Sequence, residues 1–346
     1  AIGKMYVEKG MIDGGGLAKK RVMSYGDYPD ESYTGISDGD YHKKCIVRSN
    51  GVVENFALGV DKATFIPLEG KDFMDPQYLS EEVDHSWFTY PNGTSTLHPI
   101  DGVTEPKFTG PKSGTKEKWE FLDEDKKYSW IKSPTFKGKT AEVGPLAKYI
   151  VVYTKVKQGI IKDPTWAEAM IVRQIDTVSQ VLGVPAHVWM TTMVGRTACR
   201  GLDAQVAANI SQYFYNKLVT NIKNGDTAVA DMTKFEPNTW SKDAKGVGLV
   251  DAPRGGLGHW IHIKDGRSAN YQCIVPSTWN ACPKTAANEH GAYEDSMIDT
   301  HVKIADKPLE ILKVIHSFDP CLACATHLYN KKGEKIVSVN TDALCK

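Results

Sequence analysis

The sequence predicts an α+β fold, predominantly helical, with irregular β-containing segments on either side of the helices. Apolar residues recur at helical spacing at Ile171, Ile175, Val178 and Leu182, and again at Ile210, Phe214, Leu218 and Ile222. Residues 1–135 instead carry short alternating runs among Gly, Asp and Lys. Residues 246–282 return to glycines, aromatics and short β-like pieces. At 346 residues, 41% hydrophobic and 24% charged, the chain is long enough to bury a sizeable core, and length alone favours about two domains.

In the first segment, Cys45-Ile-Val-Arg48 and Val52-Val-Glu-Asn-Phe56 flank Ser49-Asn50-Gly51, and Phe88-Thr-Tyr90 precedes Pro91-Asn92-Gly93. Both read as turns between short strands. Asn92-Gly93-Thr94 also fits a glycosylation acceptor, though a bare hairpin turn is the simpler reading. Residues 136–327 are expected to form a helical core ending in a metal-binding motif. Asp163 and Pro164 read as N-cap and first turn of one helix, stopped by Gly183 and Pro185. A second helix is expected after Gly195-Arg196, ending at Asn224-Gly225-Asp226, and both apolar stripes are expected to be core. Gly255, Gly256 and Gly258 permit close backbone approach to something compact. A last helix is predicted from Lys307-Pro308 through His316. Residues 328–346 form a C-terminal extension in which Tyr329 through Val339 reads as a hairpin.

Charge excludes several functions. There are 42 basic and 42 acidic residues and no long like-charge run, so nothing suggests a nucleic-acid or membrane-surface footprint; a neutral, buried or small partner fits better. No stretch of about 18 apolar residues predicts a transmembrane helix. The opening Ala1-Ile-Gly-Lys-Met-Tyr6 lacks the basic and apolar regions of a signal peptide and reads as the interior of a longer protein. The seven cysteines, at 45, 199, 273, 282, 321, 324 and 345, are odd in number and too dispersed for a disulfide scaffold, which favours free or metal-bound thiols.

The sharpest local feature is Asp319-Pro-Cys-Leu-Ala-Cys-Ala-Thr-His327. Asp followed by Pro reads as a helix start, which would put Cys321 in the first turn, where open N–H groups favour thiolate. Cys324 would lie on the same face, so two soft sulfurs could converge on one metal, with His327 a further turn along. A CxxC also serves zinc sites and thiol-disulfide exchange. Zinc usually wants a second pair at short spacing, and a thioredoxin-type motif should follow a strand; neither context is present. Taken alone, the motif is balanced between a metal-thiolate site and a structural or redox pair.

Asp-Pro-Cys-x-x-Cys-x-x-His near a C-terminus resembles the signature of nickel-iron hydrogenase large subunits. Four further blocks resemble the same family, in its order: Glu142-Val-Gly-Pro-Leu-Ala147, Gly195-Arg-Thr-Ala-Cys-Arg200, Ala252-Pro-Arg-Gly-Gly-Leu-Gly-His259 and Tyr271 through Pro283. The resemblance implies a nickel held by four thiolates, with Cys321 a terminal ligand and Cys324 bridging to an iron that carries carbon monoxide and cyanide. Arg254, after Pro253, matches the arginine poised over that centre, and Asp319 the acidic residue that pairs with it. Ser277, after Pro276, matches the hydroxyl that hydrogen-bonds a cyanide, whose electron-rich nitrogen wants a donor in a dry pocket. Without the resemblance, Arg254 reads as one half of a structural ion pair and Ser277 as a helix cap or turn hydroxyl. His327 matches a histidine that binds a magnesium ion together with the Cys273 carbonyl. His259, His262, His290, His301 and His316 have no ligand-like partner in sequence and read as packing or surface residues.

Two features depart from the family pattern: no second CxxC occurs, and nineteen residues follow His327. A truncated sequence explains the first; the second resembles an unprocessed precursor whose extension a maturation endopeptidase removes after nickel-insertion chaperones have acted. The resemblance further implies an iron-sulfur small subunit and a membrane cytochrome b as partners, hydrogen uptake as the direction, and the periplasmic side of the cytoplasmic membrane as the location. Rival readings are a hydrogen-evolving or sensory hydrogenase, the related quinone-site subunit of respiratory complex I, which the two cysteines speak against, and a metal-free structural fragment.

Overall fold

A computed structural model describes residues 13–26, 28–29, 45–109, 126–230, 232, 235–298, 300–320, 325–329 and 335–340. The α+β class holds, but helix does not predominate among the described residues. Among the described residues fifteen strands accompany eight α-helices, because many short runs before residue 137 and the glycine-rich run after 242 form ladders.

The first part holds α1 (Leu17–Lys20) and ten short strands: β1 (Arg21–Ser24), β2 (Tyr28–Pro29), β3 (Cys45–Val47), β4 (Gly51–Glu54), β5 (Thr64–Ile66), β6 (Leu79–Glu82), β7 (Phe88–Thr89), β8 (Thr96–Leu97), β9 (Glu105–Pro106) and β10 (Ser133–Phe136). They make antiparallel sheets in the orders β1-β4-β5 and β10-β6-β8 and the pairs β2-β3 and β7-β9. The hairpin turn expected at Asn92-Gly93 is therefore absent, since β7 pairs with β9 and β8 with β6, and the strands flanking Ser49-Asn50-Gly51, β3 and β4, do not pair with each other either. Each finds a different neighbour, since β4 is buried between β1 and β5 and Gly51 lies against the Phe65 ring, where a Cβ would sit 2.3 Å from Cε2.

The helical layer follows with α2 (Pro145–Lys157), α3 (Trp166–Leu182), α4 (Ala186–Met190) and α5 (Met193–Lys223). Burial of α2 is continuous from Pro145 to Lys155, which makes it the central helix, packed by β1 and β4 as well as by α3 and α5. The N-cap of α3 is Thr165, not Asp163: Thr165 and Glu168 form a reciprocal capping box, which satisfies two open amides where Asp163-Pro164 would satisfy fewer. Gly183, left-handed at φ 68°, closes that helix as expected. Helix α5 begins two residues before Gly195, with Thr192 accepting from the Gly195 amide at 3.1 Å. Of its expected apolar stripe only Ile210 is buried; Phe214, Leu218 and Ile222 are 37%, 56% and 53% exposed, because nothing among the described residues covers the distal half of the helix.

Next comes an antiparallel meander of β11 (Asp243–Ala252), β12 (Gly255–Lys264) and β13 (Arg267–Ile274), longer than the short pieces expected. The three glycines do permit close approach, but the compact objects are parts of the protein: a Cβ on Gly256 would strike the Tyr25 ring, and one on Gly258 the Trp260 ring. Then follow α6 (Pro276–Asn280), α7 (Ala292–Met297) and α8 (Leu309–His316), the last with Pro308 as its N-cap. Strands β14 (Ala325–Tyr329) and β15 (Lys335–Asn340) pair as the expected hairpin, yet β14 starts early enough to include His327, opposite Ser338.

Asp319 does not act as the expected N-cap, and the expected helix does not extend to His327; residues 321–324 lie outside the described residues. Asp319 has φ +54°, outside the extended region an N-cap needs, and the backbone at His327 belongs to a ladder. Three apolar clusters organise the interior. The largest joins α2, α3 and α5 to β1, β3 and β4; a second centres on Tyr25, Phe73, Trp260 and Trp279; a third packs Leu17, Met193, Tyr293, Val314 and Phe318. Residues from both sides of position 135 share the first two. No helix among the described residues is long and apolar enough to cross a membrane.

Candidate functional site

Pro253 and Arg254 are the two-residue turn joining β11 to β12, between the paired Ala252 and Gly255. The turn is pressed against the start of α2. A Cβ on Gly255, whose φ is +125°, would lie 2.5 Å from the Gly144 nitrogen, and one on Gly144 would lie 3.4 Å from the Arg254 carbonyl. Only glycine at position 255 leaves room for two backbones to pass so closely. Pro253 is exposed and Arg254 half-buried.

From that turn Arg254 reaches the residue before the Pro-Cys step. Its Nε donates to the Asp319 carbonyl at 2.7 Å, and its Nη2 stands 3.4 Å from Asp319 Oδ2. Phe318, one residue earlier, is buried against Tyr293, which fixes the end of α8 from the other side.

Ser277 occupies the first turn of α6, half-buried, after the buried Pro276. That short helix is tied to the same frame as Arg254. Trp279 donates to the Tyr25 hydroxyl at 2.9 Å, which donates to the Gly256 carbonyl at 2.8 Å, two residues beyond Arg254. Asn280 donates to the Val143 carbonyl at 2.9 Å and accepts from the Val143 amide at 3.0 Å. Burial pushes the Tyr25 phenol far up, so it remains a neutral donor.

Cys273 is an exposed thiol on β13, opposite His259, whereas His327 lies in the β14–β15 pair; the two residues expected to share a magnesium ion stand on different sheets. Cys321 and Cys324 lie outside the described residues. Among the described residues no group of three or more His, Cys, Asp or Glu side chains could hold a metal. His259, His262 and His290 instead meet Tyr271, Asp243 and Glu294 respectively.

Several residues at this site carried no individual signal in the sequence. Glu142 and Arg196 join two of the quoted blocks through a buried two-pronged ion pair, 2.7 Å on each prong. Arg200, one turn further along α5, donates from Nη1 to the Ser317 carbonyl at 2.8 Å. Beneath the Arg254 turn, Lys148 of α2 sits 2.9 Å from Asp251 of β11 and 2.7 Å from Asp203 of α5, and Tyr28 donates to Asp251 at 3.1 Å. The available hint was the i, i+4 spacing of Arg196 and Arg200, which places both on one helix face.

As far as the described residues go, they suit the periphery of a metal-thiolate centre. Two guanidinium groups face one carboxylate at Asp319, and the Arg200 Nε is a buried donor with no hydrogen-bond acceptor, an arrangement that favours an anionic neighbour.

The fold is that of hydrogenase large-subunit structures. A NiFeSe hydrogenase from Desulfovibrio vulgaris Hildenborough superposes with a TM-score of 0.63 at 24% identity, covering 93% of this chain and 55% of that one. The NiFeSe hydrogenase of Dm. baculatum gives 0.61 at 22% identity, over 92% and 54%. The family profile described as nickel-dependent hydrogenase matches residues 1–327, and the chain belongs to that family. It is 44% identical to the uptake hydrogenase large subunit of Rhizobium leguminosarum bv. viciae over 98% of this chain and 53% of the relative. It is 41% identical to the hydrogenase-1 large chain of Escherichia coli K12 over 94% and 51%. The chain thus spans about half the length of these relatives.

Proposed function

We propose that this chain is part of the large subunit of a nickel-iron hydrogenase that cleaves H2 reversibly and heterolytically, working in the uptake direction and passing electrons to an iron-sulfur small subunit. The observation that carries the reading is the convergence of Arg254 on Asp319 immediately before the Pro-Cys-x-x-Cys run, within a family match that ends at His327. The names of the relatives, uptake hydrogenase large subunits, support the direction.

In this reading Cys321 and Cys324 supply two thiolates, and the remaining ligands come from polypeptide outside this chain. The nickel-iron centre, with carbon monoxide and cyanide on iron, supplies the activation of hydrogen and the acceptance of its electrons. Arg254 holds a cationic donor over the site, oriented by Asp319. Ser277, with Pro253 and Pro276 lining the turns beside it, offers a hydroxyl to an anionic ligand. A magnesium ion bound by His327 and the Cys273 carbonyl belongs to the same reading; it requires β14 to leave β15, as removal of residues 328–346 by a maturation endopeptidase would allow. Nickel-insertion chaperones, a membrane cytochrome b and a location on the periplasmic side of the membrane complete the proposal, supported by the resemblance to uptake-type enzymes.

The test is nickel and iron content together with hydrogen-dependent dye reduction, on the full-length subunit purified with its small subunit beside a Cys324→Ser variant. Metal and activity in the parent, both lost in the variant, are expected. A metal-free, inactive parent from a maturation-competent host would overturn the reading in favour of a structural fragment.

A further inference from the structure

Three consecutive residues at the end of α8 are each held by a different arginine. The Ser317 carbonyl accepts from Arg200 at 2.8 Å. The Phe318 ring lies under the Arg196 guanidinium, 3.9 Å from its centroid. Asp319 is held by Arg254 through its carbonyl and, more loosely, its carboxylate. Asp319 is left-handed at φ +54°, a conformation that aspartate adopts more readily than most non-glycine residues. The turn 317–319 is thus set from outside, and it is the last described segment before Cys321.

The three arginines are not equivalent. Arg196 is fully occupied: it grips both oxygens of Glu142 and donates to the Gly14 and Gly15 carbonyls and the Ser296 hydroxyl. Arg254 approaches Asp319 from the β11–β12 turn. Arg200 approaches it from α5, with Nε 3.9 Å from the same Oδ2 that faces Arg254 and no hydrogen-bond acceptor for that buried N–H among the described residues. Burial lowers the Arg200 pKa, and Asp319 opposes that fall without cancelling it. A clamp that served only to end a helix would need one cation on the backbone. Two cations converging from different elements on a single carboxylate oxygen fix the direction in which that carboxylate points.

We propose that Arg200 is a positioning residue that acts through Asp319, holding its carboxylate between two guanidinium groups and setting the turn that leads into Cys321. Its functional consequence rests on the hydrogenase reading; the structural clamp does not.

The test uses the full-length subunit. In the nickel-free precursor, Arg200→Met is expected to raise hydrogen exchange of the amides at 317–319 at least fivefold, and Arg200→Lys less. Unchanged exchange in Arg200→Met would overturn the clamp. In the nickel-loaded heterodimer, Arg200→Met is expected to lower hydrogen-dependent dye reduction at least tenfold, but no more than twofold when added to Asp319→Asn, since coupled residues are non-additive. An equal loss with or without Asp319 would overturn action through that carboxylate. If Arg200→Met takes up no nickel, the same cycle is run with Arg200→Lys under the same criterion. An inactive, nickel-free parent would sink the hydrogenase reading, while the exchange experiment would still decide the clamp.

Discussion

Glu142 and Arg196 form a two-pronged ion pair, 2.7 Å on each side, in which the side chains are 1% and 2% exposed. The pair locks the segment before α2 to the first turn of α5, and the same guanidinium ties down Gly14 and Gly15. Replacing one partner of such a pair strands a buried charge, at a cost of roughly 3–5 kcal/mol. Glu142→Gln should lower the stability of the full-length subunit by about that much in denaturant unfolding. A loss under about 1 kcal/mol, the scale of an exposed pair, would show that the buried geometry contributes little.

Lys148 faces two carboxylates, Asp203 and Asp251, in a cluster that also includes the Tyr28 hydroxyl. Burial alone would lower the Lys148 pKa, but the two acids and Tyr28 hold it well above its ordinary value, so the ammonium stays charged. Burial raises the Asp251 pKa, and Lys148 opposes that rise. Lys148→Met removes the opposition. A carboxyl whose folded pKa exceeds its unfolded value binds more protons when folded, so stability falls as pH rises from about 4 through the raised folded value. The stability gap between parent and Lys148→Met should accordingly be wider at pH 8 than at pH 5. A gap independent of pH across unfolding curves would contradict this account of the cluster.

The Arg254 turn depends on a backbone crossing. Gly255→Ala introduces a Cβ 2.5 Å from the Gly144 nitrogen, at a φ that L side chains rarely adopt. The expected cost is about 1–3 kcal/mol of strain, with the turn displaced and Arg254 drawn away from Asp319. Thermal unfolding and hydrogen-dependent dye reduction of the full-length heterodimer both read this. Parent-like values in both would mean that the crossing is not needed to place Arg254.

Two cysteines should be chemically silent. Burial pushes the Cys199 and Cys282 thiols far up, so neither offers thiolate at neutral pH. Mass-spectrometric mapping after iodoacetamide treatment of the native subunit at pH 8 should find both unlabelled, and both labelled in guanidinium. Native labelling of either would show that its surroundings open.

Local signals carried the first half of the site. The stripe at Ile171 and Ile175, the stop at Gly183 and the hairpin after Cys324 were legible because helix period, a left-handed glycine and alternating β-branched residues act over a few neighbours. The capping box at Thr165 and Glu168 was equally local, but the neighbouring Asp-Pro pair masked it. What failed needed distant partners. The distal stripe of α5 has the same spacing as a core stripe, and whether Phe214, Leu218 and Ile222 are buried depends on what lies against them. The pairing of β4 with β1 and β5 rather than β3 was decided in the same way.

By itself the sequence determined that the chain is an α+β member of the nickel-dependent hydrogenase family, because a thiol pair after Asp-Pro and four ordered blocks are a pattern of residue types that survives without coordinates. Only the tertiary structure decided that Glu142 meets Arg196 across 54 positions, that Asp251 meets Lys148, and that Asp319 bends into a left-handed turn between Arg200 and Arg254. Charges far apart in sequence carry no periodicity; they find each other only where packing removes water and leaves each the other as its compensation.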